Sequence, residues 1–249
     1  PDEAVLTNAI GTLNVADCCR ESGASTMVLI STDKAVKPSS VMGASKRVAE
    51  LVCQAVNALD CPTRCITVRF GNVLGSTGSV IPLFEQQLRV GGPLTVTHPD
   101  ATRYFMTVRE AVELVLQASA LPAEETGRDS VFVLDMGEPV RIQDLARQMI
   151  RMSGRSDTKI SLAGLRPGEK LHEVLFQEAE DLRPSSHEGI QIGKARAMDY
   201  EVLHPRLERL EVACRACQTA ETIAVLAELL PEARLQPESI EPAAAGGPR

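Results

Sequence analysis

The sequence contains no tryptophan and few other aromatic residues, and it lacks several patterns that define common protein classes. No apolar run approaches the roughly 18 residues of a membrane-spanning helix. Acidic residues outnumber basic ones, 33 to 26, and the net charge of -7 argues against nucleic acid as a partner, because phosphate binding needs a basic face. The four histidines have no metal-ligand spacing, and the seven cysteines have no disulfide-scaffold spacing. We therefore predict no metal site and a reducing, cytoplasmic environment.

A glycine-rich phosphate loop is also missing. No G-x-G-x-x-G or G-x-x-G-x-x-G follows a predicted strand, although a dinucleotide fold needs such glycines so that backbone can approach the pyrophosphate at a helix N-terminus. The chain has no initiating methionine, and Pro1-Asp2-Glu3 has the composition of a first helical turn. We therefore expect a C-terminal fragment that lacks the first βαβ units of its nucleotide-binding domain.

Hydrophobic periodicity predicts helices that alternate with strands along most of the chain. The predicted helices cover 2–21, 39–59, 80–90, 108–119 and 142–152, with another after the loop Arg166-Pro167-Gly168 and a helical segment from His204. The predicted strands cover 26–32, 65–70, 93–97, 131–134 and 159–162. This order is typical of an α/β protein: the C-terminal half of a doubly wound, Rossmann-type parallel sheet, followed by a smaller α/β substrate domain and a helical tail.

The same pattern suggests a division into three parts. Residues 1–75 are expected to be the C-terminal part of a dinucleotide-binding domain. Residues 76–203 are expected to form mainly a substrate domain, with segments that return to the Rossmann core. Residues 204–249 are expected to form a helical segment whose end, from about residue 235, is disordered because it is rich in proline, alanine and glycine.

An acid and a base stand side by side at the end of the first predicted strand. Asp33-Lys34 follows the apolar run 27–30 closely, and in open α/β sheets ligands bind at the carboxyl ends of strands. The next predicted helix places Met42 and Lys46 one turn apart on one face. Considered alone, Asp33-Lys34 would more readily be a solvated pair that caps the next element, and Lys46 an ordinary surface lysine.

Four blocks of sequence, in order, make a more specific pattern. The stretch STDKAVKPSSVMGASKR resembles the active-site segment of the nucleotide-sugar 4,6-dehydratases of the CapD/WbpM/PglF type, which are extended short-chain dehydrogenases/reductases. Further matches are RFGNVLGSTGSVIPLF from Arg69, TRYFMT from Thr102 and LRPGEKLHE from Leu165. The resemblance covers roughly residues 1–200. Met42 stands where the superfamily has the tyrosine of its Tyr-x-x-x-Lys pair, which is similar to the membrane-anchored branch of these dehydratases.

The resemblance implies a division of catalytic roles. NAD or NADP would oxidise C4 of a hexose, after which water is lost across C5 and C6. Lys34 would be the base at C5, Asp33 the acid at the C6 hydroxyl, and Thr32 a contact to the sugar near O4. Lys46 would hydrogen-bond the nicotinamide ribose. Because Met42 cannot shuttle a proton, an ordered water or Asp33 would accept the proton of the C4 hydroxyl.

The resemblance also implies binding positions. The expected cofactor contacts are Ser31, Lys46, Phe70 and Val73. The expected substrate contacts are Asn72, Arg103, Arg166 and Glu169. Arg166 would meet the diphosphate, because the planar guanidinium fork suits phosphate oxygens, and Glu169 the uridine ribose. Asn72 could instead be structural in its Gly-Asn turn, and Arg103 could form a salt bridge within its own domain.

We therefore predict an NAD(P)-dependent dehydration of a UDP-N-acetylhexosamine, foremost UDP-N-acetylglucosamine, to a 4-keto-6-deoxy sugar nucleotide for polysaccharide or glycan biosynthesis. One alternative is a UDP-sugar C4 epimerase, which Met42 disfavours because that chemistry uses the tyrosine. Another is a non-catalytic sugar-nucleotide-binding module of the same fold. We also expect a homo-oligomer, and a full-length parent anchored in the inner membrane by a region upstream of Pro1, with this domain on the cytoplasmic side.

Overall fold

The computed structural model describes residues 1–122, 127, 129–194 and 196–235. Its α-helices are α1 (Asp2–Val5), α2 (Gly11–Ser22), α3 (Val41–Ala58), α4 (Val80–Arg89), α5 (Val108–Ala120), α6 (Ile142–Met152), α7 (Tyr200–Arg215) and α8 (Thr219–Leu229). A π-helical segment, Leu6–Ile10, joins α1 to α2. Its strands are β1 (Thr26–Ile30), β2 (Arg64–Arg69), β3 (Asn72–Val73), β4 (Leu94–Val96), β5 (Thr102–Arg103), β6 (Phe105–Met106), β7 (Ser130–Leu134), β8 (Val140–Arg141), β9 (Ile160–Leu162), β10 (Arg183–Pro184) and β11 (Ile190–Lys194).

The main sheet has five strands in the order β1-β2-β7-β11-β10. β1, β2 and β7 are parallel, with Leu29 opposite Thr67 and Val68 opposite Phe132, whereas β11 runs antiparallel to β7. β7 is buried along its whole length because helices cover both faces of the sheet. The predicted α/β fold with a parallel sheet is confirmed.

Apolar residues form separate cores on the two faces of this sheet. On one face, α3 is buried along nearly its whole length between the sheet and the helices α1, α2, α7 and α8. On the other face, α5 packs against Ile66, Val68 and Phe132. A third core lies among α4, α6 and the parallel pair β4–β9, which together form a smaller α/β unit beside the sheet. The expected domain boundaries remain predictions.

The helix predicted after the Arg166-Pro167-Gly168 loop is wrong. The chain there runs along β5 instead, since Thr102 N donates to Leu171 O over 3.1 Å and a β-bridge joins Thr102 to His172. Only a short 3₁₀ turn, Glu178–Glu180, follows. Tertiary pairing has overridden the helical propensity of this segment, as it can because propensity is a weak preference.

Smaller differences concern the chain's last third. β11 was not predicted, although Ile190 and Ile192 alternate with less apolar neighbours and are buried. The terminal helices begin at Tyr200, four residues before the expected His204. The expected disorder near the C-terminus falls on 236–249, outside the described residues. Each helix within the described ranges is too short or too polar to cross a lipid bilayer.

Candidate active site

The loop after β1 presents Asp33 and Lys34 at the carboxyl end of the main sheet. Asp33 N donates to Phe70 O over 3.1 Å, which ties this loop to the chain just beyond β2. The Thr32 hydroxyl accepts from Lys34 N over 3.4 Å and caps the short 3₁₀ turn Asp33–Ala35. In this loop the Asp33 side chain is fully buried, whereas 27% of the Lys34 side chain is exposed.

Asp33 and Lys34 form a directly bonded acid–base pair. Lys34 Nζ donates to Asp33 Oδ1 over 2.9 Å and to Asn72 Oδ1 over 3.2 Å. Thr32 Oγ1 also donates to Asp33 Oδ1, over 2.9 Å. Asp33 Oδ2 is buried and accepts no hydrogen bond from any described residue. A proton can thus pass directly between Lys34 Nζ and Asp33 Oδ1, whereas Asp33 Oδ2 has no hydrogen-bond donor among the described residues.

A cavity of about 410 Å³ opens beside Lys34. Its size is typical of a small-molecule site. It is bounded by the loop between β1 and α3, by β3, by the N-terminus of α4 and by the loop around Gly168. All four predicted substrate contacts line it: Asn72, Arg103, Arg166 and Glu169. The fold therefore brings Lys34 and the predicted substrate contacts to one cavity, whereas Asp33, which is fully buried, and Thr32 do not line it.

Glu169, which also lines this cavity, accepts hydrogen bonds from three neighbouring residues. Its Oε1 accepts from Arg103 Nη2 and from Thr97 Oγ1, each over 2.9 Å. Its Oε2 accepts from Arg166 N over 3.1 Å. Arg103 therefore forms the internal salt bridge that was the alternative to a phosphate contact. The Arg166 side chain is exposed where it lines the cavity.

Met42 and Lys46 lie one helical turn apart on α3, as predicted, and neither lines the cavity. Lys46 Nζ donates to Ile30 O over 3.2 Å, at the end of β1. Burial lowers the pKa of Lys46, and the charge of Glu50 acts in the opposite direction. Met42 is 40% exposed, so it is not a core residue.

The other predicted cofactor contacts are largely committed to the protein interior. The Ser31 hydroxyl donates to Glu50 Oε1 over 2.6 Å. Phe70 is buried in the core on the α5 face, and Val73 packs partly against the same core. They lie near the carboxyl ends of β1 and β2, but the hydroxyl of Ser31 is used in an internal bond.

A buried charged network, which the sequence pattern does not indicate, lies near these strand ends. Arg69 donates to Glu50 through Nε (2.7 Å) and Nη2 (2.6 Å), and to Glu180 through Nη1 (2.8 Å). Burial acts to raise the pKa of Glu50, but the charges and hydrogen bonds of Arg69 and Arg47, with a bond from Ser31, hold it below its ordinary value. The partners lie far apart in sequence, so no local pattern reveals them.

Three further residues near the site also escaped sequence analysis. A Cβ atom on Gly43 would collide with the carbonyl oxygen of Lys34, so glycine is needed where α3 meets the loop after β1. Lys170 and Glu173 line the cavity, and Lys170 Nζ donates to Val36 O over 2.7 Å. Gly43 stands within the MGASK stretch, and the other two within LRPGEKLHE, but neither block indicates these contacts.

Comparison with known proteins supports the resemblance. Residues 1–195 match the family model described as polysaccharide biosynthesis protein. The capsular polysaccharide biosynthesis protein CapD of Staphylococcus aureus is 54% identical over 196 residues, which cover 78% of this chain and 32% of that protein. The probable polysaccharide biosynthesis protein EpsC of Bacillus subtilis (strain 168) is 51% identical over 205 residues, covering 82% and 33%. This chain thus spans about a third of the length of both relatives.

More distant relatives and solved structures extend the comparison. A UDP-glucose 4-epimerase of Rickettsia canadensis (strain McKiel) is 38% identical over 190 residues, covering 73% of this chain and 54% of that protein. The X-ray structure of Pen from Bacillus thuringiensis superposes with a TM-score of 0.68 at 31% identity, covering 82% of this chain and 68% of that chain. A dTDP-glucose 4,6-dehydratase, DesIV from Streptomyces venezuelae, shares the fold, with a TM-score of 0.61 at 20% identity and coverage of 69% and 57%.

Proposed function

Because this chain belongs to the polysaccharide biosynthesis protein family, we propose that it forms the catalytic part of a nucleotide-sugar 4,6-dehydratase. The proposed substrate is a UDP-N-acetylhexosamine, foremost UDP-N-acetylglucosamine, and the product a 4-keto-6-deoxy sugar nucleotide. The observation that supports this most is that Lys34, bonded to the buried carboxylate of Asp33, lines a cavity that Arg166 and Glu169 also line. Elimination of water requires a base that acts on one carbon of the sugar and an acid that acts on the hydroxyl of the next carbon.

The hydrogen bond between Lys34 and Asp33 suits this elimination. A base must take the proton from C5 while an acid protonates the hydroxyl that leaves C6. A proton shift along the 2.9 Å bond from Lys34 Nζ to Asp33 Oδ1 turns the ion pair into a neutral amine and a carboxylic acid. The amine can then take the C5 proton and the acid can release its proton to the departing water. Loss of water therefore restores the original ion pair.

Asn72 and Thr32 would hold this pair in position. The amide oxygen of Asn72 accepts the second hydrogen bond of Lys34, and the Thr32 hydroxyl donates to Asp33. Both bonds restrict the side chains to one arrangement, which favours catalysis because reacting groups must be aligned before the reaction. Thr32 is also the hydroxyl closest in sequence to the acid, and we assign it the contact near O4 of the sugar.

The residues at the end of β1 fit a nicotinamide cofactor in part. Lys46 is a partly desolvated cation at the strand end, where it could bond ribose hydroxyls. No glycine-rich loop for the pyrophosphate lies within residues 1–249. When bound, NAD or NADP would take the C4 hydride, which makes the C5 proton acidic, and would return the hydride to C6 while a proton is added at C5.

The nucleotide would occupy the end of the cavity formed by Arg166 and Glu169. The exposed guanidinium of Arg166 can meet diphosphate oxygens in a bidentate manner. Glu169 is fixed by Arg103 and Thr97, so its carboxylate is already oriented for a ribose hydroxyl. Arg103 would act through Glu169 and not on phosphate.

The main competing function is C4 epimerisation, which the identity to the Rickettsia canadensis epimerase favours. The two activities give different products from one substrate. The complete enzyme that contains this chain is incubated with UDP-N-acetylglucosamine, and proton NMR follows the sugar. Dehydration produces a new C6 methyl signal with loss of water, whereas epimerisation produces an isomer of unchanged mass without a methyl group. UDP-glucose, which differs only in having a hydroxyl at C2 in place of the acetamido group, is the matched control substrate. Appearance of the isomer alone would refute the proposal.

A further inference from the structure

The segment 36–40 connects the turn Asp33–Ala35 to α3 and includes a residue with an unfavourable backbone conformation. Lys37 has a φ of 43°, in the left-handed region that residues other than glycine rarely adopt. Conformations of this kind persist only where the surrounding structure holds them. Contacts from elsewhere in the fold must therefore keep the segment, and with it Lys34, in place.

The loop around Gly168 supplies two of these contacts. Ser39 Oγ donates to Gly168 O over 2.7 Å. Lys170 Nζ donates to Val36 O, also over 2.7 Å. Gly168 has a φ of 75°, and a Cβ atom there would lie 2.7 Å from Ser39 O, so the two segments touch through their backbones.

Lys170 is itself held by a buried carboxylate. Glu173 is 7% exposed and its Oε2 lies 3.3 Å from Lys170 Nζ, within ion-pair distance. Both residues line the same cavity as Lys34. An ammonium group placed between a backbone carbonyl and a buried carboxylate has little freedom to move. Lys170 therefore connects the loop that carries Arg166 and Glu169 to segment 36–40, which follows Lys34 in the chain.

We propose that Lys170 is a positioning residue. It clamps segment 36–40 onto the loop around Gly168 and so determines the position of Lys34 relative to the sugar. The proposal rests on the dehydratase function proposed above. The bridge joins the loop that carries Arg166 and Glu169 to the segment that follows Lys34, so the position of Lys34 depends on it, whereas Glu169 is held separately by Arg103 and Thr97.

The test uses Lys170→Met in the complete enzyme. We expect kcat to fall about 10–100-fold, because small displacements of a catalytic group have effects of this size. The KM for the sugar nucleotide should stay within about three-fold, since Arg166 and Glu169 remain. Absorbance of the reduced cofactor should accumulate during turnover, because oxidation at C4 does not need Lys34. Lys170→Arg, which keeps the charge and the donors, should restore most of the rate.

The matched control is Lys37→Met, since Lys37 is an exposed lysine of the same segment. If Lys170→Met has the kcat of this control, or loses rate without accumulation of reduced cofactor, the positioning role is wrong. Glu173→Gln, which keeps the side-chain shape, should change the same quantities in the same direction but less. It serves as the second variant if Lys170→Met folds poorly.

Hydrogen exchange tests the clamp without any substrate. Amides of residues 34–40 should exchange about five-fold faster in Lys170→Met than in Lys37→Met, as expected for the loss of one hydrogen bond. Equal exchange in the two variants would overturn the clamp whatever the activity. If the unaltered enzyme forms no 4-keto-6-deoxy product, the dehydratase proposal has failed, and the exchange result alone decides the clamp.

Discussion

Lys34 is the residue on which the proposed chemistry depends most directly, because its ammonium group lines the cavity and donates to both Asp33 and Asn72. Its alanine variant separates two steps of the proposed reaction. In the complete enzyme, Lys34→Ala should abolish dehydration while leaving C4 oxidation partly intact, since hydride transfer precedes removal of the C5 proton. The measurement is absorbance of the reduced cofactor after substrate addition, together with NMR of the product.

The expected signature is reduced cofactor that accumulates without release of a 4-keto-6-deoxy sugar. Lys37→Ala is a suitable control, because it removes an exposed lysine only three residues away. Turnover of Lys34→Ala at the rate of this control would remove Lys34 from the mechanism.

Met42 raises a different question, which is whether the missing tyrosine is a defect. Since Met42 is 40% exposed, a tyrosine ring there meets little steric opposition. The expected result therefore depends on chemistry alone: a site without a phenol already has another acceptor for the C4 hydroxyl proton. We predict that Met42→Tyr changes turnover less than about ten-fold, although a new general base can be worth about 10²–10⁴-fold. A hundred-fold gain in steady-state rate would show that methionine at position 42 impairs the reaction.

At the scale of elements, the packing of α3 against the loop after β1 depends on Gly43. Gly43→Ala places a methyl group against the carbonyl oxygen of Lys34. This overpacking should cost about 1–3 kcal/mol of unfolding free energy, more than the gain of up to about 1 kcal/mol from alanine's helix propensity. Urea unfolding of this chain measures the difference.

Gly11→Ala is the matched control for this prediction. Gly11 also lies in a helix, but a Cβ atom there would meet its nearest neighbour, Leu6 O, at an ordinary 3.5 Å. We expect this variant to be as stable as the unaltered chain or slightly more so. Equal stabilities of the two variants would show that α3 does not pack tightly against the loop after β1 at Gly43.

The terminal helices also act at this scale. α7 and α8 bury Leu203, Leu207 and Leu226 in the same core as α3, although the matched family model ends at residue 195. Beyond α8, Arg234 N donates to Pro38 O over 2.8 Å. The terminal segment therefore provides a further contact that holds segment 36–40 in place.

At the scale of the whole molecule, this chain has the cavity proposed for the sugar nucleotide, but its sequence has no glycine-rich phosphate loop for a dinucleotide. We predict that residues 1–249 alone are inactive and bind NAD or NADP weakly, because pyrophosphate binding needs a glycine-rich turn at a helix N-terminus. Titration calorimetry of this chain with each cofactor measures the affinity. The complete enzyme is the positive control. Micromolar or tighter binding by residues 1–249 would contradict the prediction.

Much of the architecture was determined by local sequence. Apolar runs such as 27–30 and the 3.6-residue period of α3 and α6 predicted the elements, because burial of one face is a local property of a helix or strand. The position of Asp33-Lys34 at a strand end followed for the same reason. The α/β class and the family resemblance also came from the sequence, and the comparisons confirm both.

Tertiary structure alone decided which distant groups meet. The Arg103–Glu169 salt bridge, the Arg69–Glu50 pair and the Lys170–Val36 bond join residues 19 to 134 positions apart, and no periodicity encodes them. The segment after Gly168 was predicted as a helix, yet pairing with β5 holds it in another conformation. Helical propensity acts between neighbours in sequence, whereas these bonds form only after the sheet has brought the strand ends together.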